Sequence, residues 1–172
     1  MVTIERLDES GWGTLRELRL AALRDAPDVF WATWEDEARF TRREWVRFAR
    51  DVVWFVAVRD EPLGLVGCLR RPEVPDEAEV IGMWVRAAER GTGIADLLLE
   101  ALHGWAEADG VRCLGLWVVV GNERARRFYD RHRYRSTGEL APLPPGRPGQ
   151  EQRMRRRCAT SGPEILQSSV GE

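Results

Sequence analysis

The sequence predicts an α/β fold in a single domain, and its length and hydropathy patterning are the observations that predict it. The 172 residues, 44% of them hydrophobic and 31% charged, suffice for one buried core and are too few for two ordinary domains. Seven short runs have the character of strands, and four runs have the spacing of helices. We therefore expect one domain over residues 1–158. The composition then becomes small and polar, so we expect residues 159–172 to form a flexible tail.

Strands are predicted where apolar residues alternate with polar ones or run continuously between turn residues. The predicted strands are Val2–Leu7, Val52–Val58, Leu63–Arg70, Glu77–Val85, Cys113–Val120, Tyr134–Glu139 and Glu151–Cys158. The polar stretch 59–62 predicts a hairpin turn between the second and third strands. The fifth run is continuously apolar, which is typical of a strand buried on both faces.

Helices are predicted where apolar residues recur at a spacing of about 3.6. The four predicted helices begin after Asp8 or Ser10, at Thr41, at Ile94 and at Asn122. In the second, Glu44 follows Thr41 by three residues, as in a capping box. The third has an apolar stripe formed by Ile94, Leu97, Leu98, Ala101, Leu102, Trp105 and Ala106. We expect both histidines, His103 and His132, on helix surfaces.

Composition excludes several classes of function. The formal net charge of −2 gives no indication of a nucleic acid or membrane partner. All 26 basic side chains are arginines, which excludes a Walker phosphate loop and a Schiff-base lysine. Cys68, Cys113 and Cys158 are odd in number and widely spaced, and the two histidines are far apart, so we expect neither a disulfide framework nor a metal. Without a leader-like segment or an apolar stretch of ~20 residues, the chain is expected to be cytoplasmic.

The most informative segment is Arg90–Ala95, which joins the strand ending at Val85 to the third helix. Its two glycines let the backbone approach a ligand closely, and the free N–H groups at the start of the helix favour phosphate oxygens. A dinucleotide-binding oxidoreductase is a poor match. Asp96 occupies the third glycine position of that fingerprint, and the next strand ends in Val120-Gly121-Asn122 without an acid for the ribose.

The segment instead matches the Arg/Gln-x-x-Gly-x-Gly/Ala signature, and Asn122-x-x-Ala125-x-x-Phe128-Tyr129 followed by Tyr134 matches a second motif. On these motifs the chain resembles the GNAT superfamily of N-acetyltransferases, of the bacterial type. The resemblance implies a mixed, mostly antiparallel central sheet of seven strands flanked by four helices, with acetyl-CoA as cosubstrate and no metal. Two positions depart from the family pattern, Ala87 in place of Pro and Arg133 in place of Gly. Both lie at turns.

The resemblance implies a set of cofactor-binding residues. They are Met83, Trp84, Val85, Arg90, Gly91, Thr92, Gly93, Ile94, Ala95, Asn122, Arg126 and Tyr129. Tyr129 occupies the family's general-acid position, where a phenol can protonate the departing thiolate; the alternative is a packed aromatic. Asn122 either contacts the cofactor or caps its own helix.

Glu79 corresponds to the glutamate that is the base in some relatives. On an alternating strand it shares a face with Ile81, Met83 and Val85, and it is either a base or one half of a salt bridge. Glu77 is the neighbouring candidate, and water is the third.

The acceptor side is assigned by the same resemblance to Phe30, Trp31, Trp34 and Glu35, although aromatic residues are more often part of the core. The predicted function is direct acetyl transfer to a primary amine of a small molecule or peptide. A non-catalytic acyl-CoA-binding module is the alternative. Acidic residues 35–37 favour a cationic amine and the arginine-rich second half disfavours one, so the acceptor stays open. The resemblance allows a homodimer, which no sequence feature decides.

Overall fold

A computed structural model of the protein describes residues 1–159, so the predicted tail lies almost entirely outside the described residues. Its centre is a seven-stranded sheet in the order β1-β2-β3-β4-β5-β7-β6. The strands are β1 (Thr3–Arg6), β2 (Val53–Val58), β3 (Pro62–Arg70), β4 (Glu77–Val85), β5 (Cys113–Val119), β6 (Arg135–Pro142) and β7 (Gln150–Arg157). All neighbours are antiparallel except β4 and β5. The predicted fold class is confirmed.

The described residues contain five α-helices, one more than predicted. They are α1 (Trp12–Asp25), α2 (Trp34–Ala38), α3 (Arg42–Asp51), α4 (Ile94–Ala108) and α5 (Glu123–Arg131). The additional helix is α2, a short helix in the segment expected to be a loop, which is capped by the hydroxyl of Thr33. Within residues 1–159, no helix has both the length and the apolar character needed to cross a bilayer.

Helices α1 and α3 cover one face of the sheet. Leu15, Leu18 and Ala22 of α1 are fully buried against Trp45 and other residues of α3 and the sheet. The predicted capping box of α3 is present: the hydroxyl of Thr41 accepts from the Glu44 amide, and the Glu44 carboxylate accepts from the Thr41 amide. Of these two helices, α1 also contributes residues to the candidate site described below.

Helices α4 and α5 cover the other face, and here two predictions were wrong. Leu97, assigned to the apolar stripe of α4, is 42% exposed. His103, expected at the surface, is 8% exposed, and its Nε2 lies 3.0 Å from the hydroxyl of Tyr134. Burial lowers the pKa of His103 to about 3. A polar residue can enter the buried face of a helix when it finds such a partner, which hydropathy spacing does not reveal.

A bulge in β4 reverses the alternation of its side chains. Leu65 pairs with Trp84 and Gly67 with Ile81, so one residue of β3 opposes Gly82 and Met83. Gly82 has φ of +65°, and a Cβ there would lie 2.8 Å from the Trp54 ring, so the position requires glycine. Ile81 consequently packs on the α1 side and Met83 on the α4 side.

The predicted common face of Glu79, Ile81, Met83 and Val85 is therefore wrong. Strict alternation holds only up to the bulge.

Strands β4 and β5 separate beyond a short paired segment. Parallel pairing joins Glu77–Glu79 to Cys113–Gly115, whereas β4 continues to Val85 and β5 to Val119. The cleft that opens between their carboxyl ends is where the candidate site lies, as is common in sheets with parallel neighbours.

Candidate active site

The glycine turn forms the first wall of the site. After β4, a 3₁₀ turn (Ala87–Glu89) leads to Arg90, and Gly93 is the N-cap of α4. Gly91 and Gly93 have φ values of +79° and +88°, and a Cβ at either would meet no atom within 4 Å. Glycine is therefore required here by backbone conformation rather than by crowding.

This turn presents a row of unpaired amides. Among residues 1–159, the backbone N–H groups of residues 91–96 donate no hydrogen bond. The next amide along, that of Leu97, donates to Gly93. Successive free amides at the start of a 15-residue helix bind anions through direct hydrogen bonds and through the positive end of the helix dipole. The turn is thus built for a phosphate group.

Arg90 holds the turn in place. Its Nε donates to the carbonyl of Val85 at 3.0 Å, and its Nη2 forms an ion pair with Asp25 at the end of α1. The indole of Trp84 donates to the same carboxylate at 2.8 Å, and together with Arg90 it lowers the pKa of Asp25. Arg90 therefore connects the turn to β4 and α1, and Asp25 neutralises its charge.

A cavity of about 520 Å³ lies beside the turn. It is bounded by the end of β4, by the glycine turn and by one face of α5. Of the predicted cofactor residues, the cavity is lined by Met83, Trp84, Val85, Arg90, Gly91, Gly93, Ala95, Asn122 and Tyr129. Ile94 has its side chain in the core, and Thr92 donates to the Glu89 carbonyl instead.

The structure does not bring Arg126 to this cavity. Its guanidinium pairs with Glu123 and Asp130 on the outer side of α5. Arg124 lines the cavity instead, and two positions further along a helix correspond to a rotation of about 200°. The motif located the helix correctly but did not specify which arginine faces the cavity.

A second cavity of about 370 Å³ adjoins the first one in the cleft between β4 and β5. The two cavities share the lining residues Val29, Met83, Asn122, Ala125 and Tyr129. Their junction is therefore formed by the bulged part of β4 and by the start and middle of α5.

Tyr129 lies at this junction. It is 8% exposed, its ring packs edge-on against Phe128 and Tyr134, and burial raises its pKa. Its hydroxyl has no hydrogen-bond partner within residues 1–159, yet it is not among the fully enclosed polar atoms of that part of the chain. The phenol thus stays protonated and accessible from the cavities.

Asn122 combines the two roles that the sequence left open. Its Oδ1 accepts from the Ala125 amide at 3.2 Å and caps α5. Its side chain also lines both cavities, and its amide nitrogen has no partner within the described residues. The cap fixes the orientation of the amide group and leaves the nitrogen able to donate to a ligand.

Two buried ion pairs flank the second cavity. Arg19 of α1 bonds Glu37 of α2 through Nε and Nη2, each at 2.9 Å. Glu79 of β4 pairs with Arg153 of β7, which lies over the Trp117 ring. Glu79 therefore forms the salt bridge that was one of its predicted alternatives, and it still lines the cavity.

The predicted acceptor residues divide into two pairs. Phe30 and Trp31 line the second cavity. Trp34 does not, and Arg24 stacks on its ring at 4.3 Å. Glu35 is exposed in the first turn of α2, away from the cavity.

Glu77, the alternative candidate for the base, lines neither cavity and lies 3.5 Å from Arg155.

The sequence did not indicate several residues that line or support the second cavity, among them Arg19, Trp117, Glu151 and Arg153. Arg19 lies on the buried face of α1 between Leu18 and Ala22. A charged residue at such a position indicates a polar site beneath the helix. Glu151 and Arg153 alternate along β7 at buried positions, where apolar residues are the rule. Charged residues at inward positions therefore mark this cavity in the sequence.

A split sheet whose cleft joins an anion-binding turn to a second cavity, lined by aromatic and buried charged residues, is suited to a transferase that brings two substrates together. Residues 14–134 match the model of the acetyltransferase (GNAT) family. That range is well over half of the chain, and the protein therefore belongs to the GNAT family. Within residues 1–159, no group of three or more potential metal-ligating side chains is present.

Known proteins resemble the chain in sequence and in fold. An uncharacterized N-acetyltransferase of Methanocaldococcus jannaschii is 26% identical over 132 residues, which span 69% of this chain and 58% of that protein. A GNAT-family acetyltransferase from Streptococcus pneumoniae superimposes with a TM-score of 0.79 at 19% identity, over 92% of this chain and 100% of that one. The protein yncA of Salmonella typhimurium, solved with its cofactor acetyl-CoA, gives 0.77 at 14% identity, over 94% and 96%.

Proposed function

We propose that the protein transfers the acetyl group of acetyl-CoA directly to a primary amine of a small molecule or peptide, in a complex that holds both substrates. The observation that carries this proposal is the junction of the two cavities at Met83, Asn122 and Tyr129. A donor in the first cavity and an acceptor in the second would meet there. Family membership and the acetyl-CoA bound to yncA support the choice of donor.

The first cavity suits the donor. The free amides of residues 91–96 would hold the pyrophosphate. The end of β4, which has no strand partner on the side of β5 within residues 1–159, would pair with the amide groups of the pantetheine arm through Met83 and Val85. This placement directs the thioester toward Tyr129.

In the reaction, the neutral amine attacks the thioester carbonyl carbon, a C–N bond forms, and the C–S bond breaks. The departing thiolate takes the phenol proton of Tyr129, and the phenolate is reprotonated from solvent. The attacking nitrogen loses one proton. Glu79 lines the second cavity with one carboxylate oxygen directed to Arg153. Its other oxygen, 3.9 Å from a guanidinium nitrogen of Arg71, is the proposed proton acceptor, directly or through water.

The test is thiol release from acetyl-CoA across a panel of amines: aminoglycosides, polyamines, amino acids, peptide N-termini and lysine peptides. Turnover with at least one amine, accompanied by an acetylated product in mass spectrometry, is the expected result. Binding of acetyl-CoA by calorimetry without turnover for any amine would contradict the proposal and favour a non-catalytic acyl-CoA-binding module.

A further inference from the structure

The second cavity, which we assign to the acceptor, contains a buried carboxylate that forms no ion pair within residues 1–159. Glu151, on β7 between β5 and β6, is 6% exposed and lines the cavity. Both carboxylate oxygens of Glu151 accept from the indole N–H of Trp31, at 3.1 Å each. Within residues 1–159, this indole is the only hydrogen-bond partner of the Glu151 carboxylate. No arginine or histidine in the described part of the chain lies within 4.0 Å of it.

This carboxylate differs from the other two buried around the cavity. Glu37 and Glu79 are matched by Arg19 and Arg153, respectively. All 26 arginines of the chain lie within residues 1–159, so the remaining residues hold no basic side chain that could neutralise Glu151. A buried carboxylate without a counter-ion is costly, and such groups are normally paired. The missing charge is best supplied by a ligand.

The aromatic surroundings point to the same kind of ligand. Phe30, Trp31 and Trp117 all line this cavity. Arg19 already lies over Phe30 and Arg153 over Trp117, each at 5.2 Å from the ring centroid. Trp31 carries no arginine within the described residues and is 59% exposed. A carboxylate beside an open indole ring is a favourable site for an ammonium group.

From this arrangement we infer that Glu151 and Trp31 bind a second, non-reacting cationic group of the acceptor, so that the preferred acceptors are diamines or amines with an additional positive charge. A carboxylate stabilises the charged form of the nitrogen it contacts. The attacking nitrogen must be neutral, so the nitrogen at Glu151 is not the one that reacts. This inference rests on the proposed function, because it assigns the second cavity to the acceptor.

The test compares acceptors that differ by one charge. For the unmodified protein, kcat/KM should be higher for 1,4-diaminobutane than for 1-aminopentane, which has a methyl group in place of the distal amine, by about 30-fold or more. A series from 1,3-diaminopropane to 1,8-diaminooctane identifies the span between the two nitrogens. In Glu151→Gln, the preference should fall to about threefold or less, mostly through KM for the diamine. For 1-aminopentane, which lacks the distal charge, kcat/KM should fall far less than for the diamine.

Two further variants keep the test interpretable. Glu139→Gln removes the same charge from an exposed position on β6, and we expect it to retain the preference. Trp31→Leu changes an exposed side chain and should weaken diamine binding even if Glu151→Gln folds poorly. An equal loss of kcat/KM for both acceptors in Glu151→Gln, or no diamine preference in the unmodified protein, would overturn the inference while leaving the proposed function intact.

Calorimetry separates failure of the inference from failure of the proposed function. The protein loaded with CoA should bind 1,4-diaminobutane, and Glu151→Gln should bind it at least about 30-fold more weakly. Binding that depends on Glu151 without any turnover would refute the acetyltransfer reaction but support the cation site. Absence of Glu151-dependent binding would overturn the site.

Discussion

Replacement of Tyr129 by Phe removes the proposed proton donor and little else. General acid catalysis contributes about 10²–10⁴-fold to a rate. Burial raises the pKa of Tyr129, which makes the phenol a weaker acid, so we place the loss near the lower end, at a kcat about 100-fold below that of the unmodified protein. The hydroxyl has no partner within residues 1–159, and the ring contacts with Phe128 and Tyr134 remain. We therefore expect the free energy of unfolding to change by less than about 1 kcal/mol.

The chain provides a matched control, because Tyr134 is its only other tyrosine. The Tyr134 hydroxyl is buried and lies 3.0 Å from His103, away from both cavities. Tyr134→Phe should therefore lose about 1 kcal/mol of stability and keep its kcat. The assay is thiol release at saturating acetyl-CoA, with urea denaturation of each variant. A kcat for Tyr129→Phe within about twofold of the unmodified protein would refute the assignment, as would equal losses in both variants.

Backbone conformation, ion pairing and burial determine how the stability of the protein responds to three further changes. Gly93→Ala forces alanine into a left-handed conformation, so it should lower the free energy of unfolding by about 1–2 kcal/mol and weaken acetyl-CoA binding in calorimetry. The control Gly104→Ala, exposed in α4 with open space around it, should raise the free energy of unfolding by about 0.5–1 kcal/mol and bind acetyl-CoA normally. Equal binding by the two variants would contradict a role of the free amides in binding phosphate. Arg153→Met removes the close partner of the buried Glu79 and leaves it only the half-exposed Arg71 at 3.9 Å, so this variant should lose about 3 kcal/mol in urea denaturation. The additional change Glu79→Leu should restore most of that loss. Burial lowers the pKa of His103 from 6.5 to about 3, so between these pH values the unfolded chain binds a proton that the folded chain does not. The free energy of unfolding should therefore fall by up to about 1.4 kcal/mol per pH unit as the pH drops from 6.5 toward 3. A decline of the same slope in His103→Gln would contradict this.

Much of the fold was predictable because its elements are set by local patterns. The apolar spacing of α1 and α4, the capping box at Thr41 and the apolar run of β5 each specify an element within a few residues of its observed bounds. Helix α2 was missed because it has only five residues, too few to show a period. The buried position of His103 depends on Tyr134, which is 31 residues away and unrelated by any local pattern.

The lining of the first cavity was largely predictable, whereas the sequence indicated only part of the lining of the second, including Phe30 and Trp31. The glycine turn is a continuous motif whose backbone conformation follows from its glycines, so Gly91 and Gly93 could be placed from the sequence. The second cavity is assembled from α1, residues 29–32, β4, β5, α5 and β7, which are distant in sequence. The bulge at Gly82 also reverses the faces of β4 that alternation predicts. The role inferred for Glu151 depends on its having no arginine or histidine within 4.0 Å among residues 1–159, and local sequence patterns do not reveal this.

Direct transfer requires that donor and acceptor are bound together and meet at the junction of the two cavities. The most direct measurement is the initial velocity of thiol release with acetyl-CoA and an accepted amine both varied. Intersecting lines in double-reciprocal plots, with no acetylated protein detected by mass spectrometry, are the predicted result. Parallel lines together with an acetylated enzyme would contradict direct transfer at that junction.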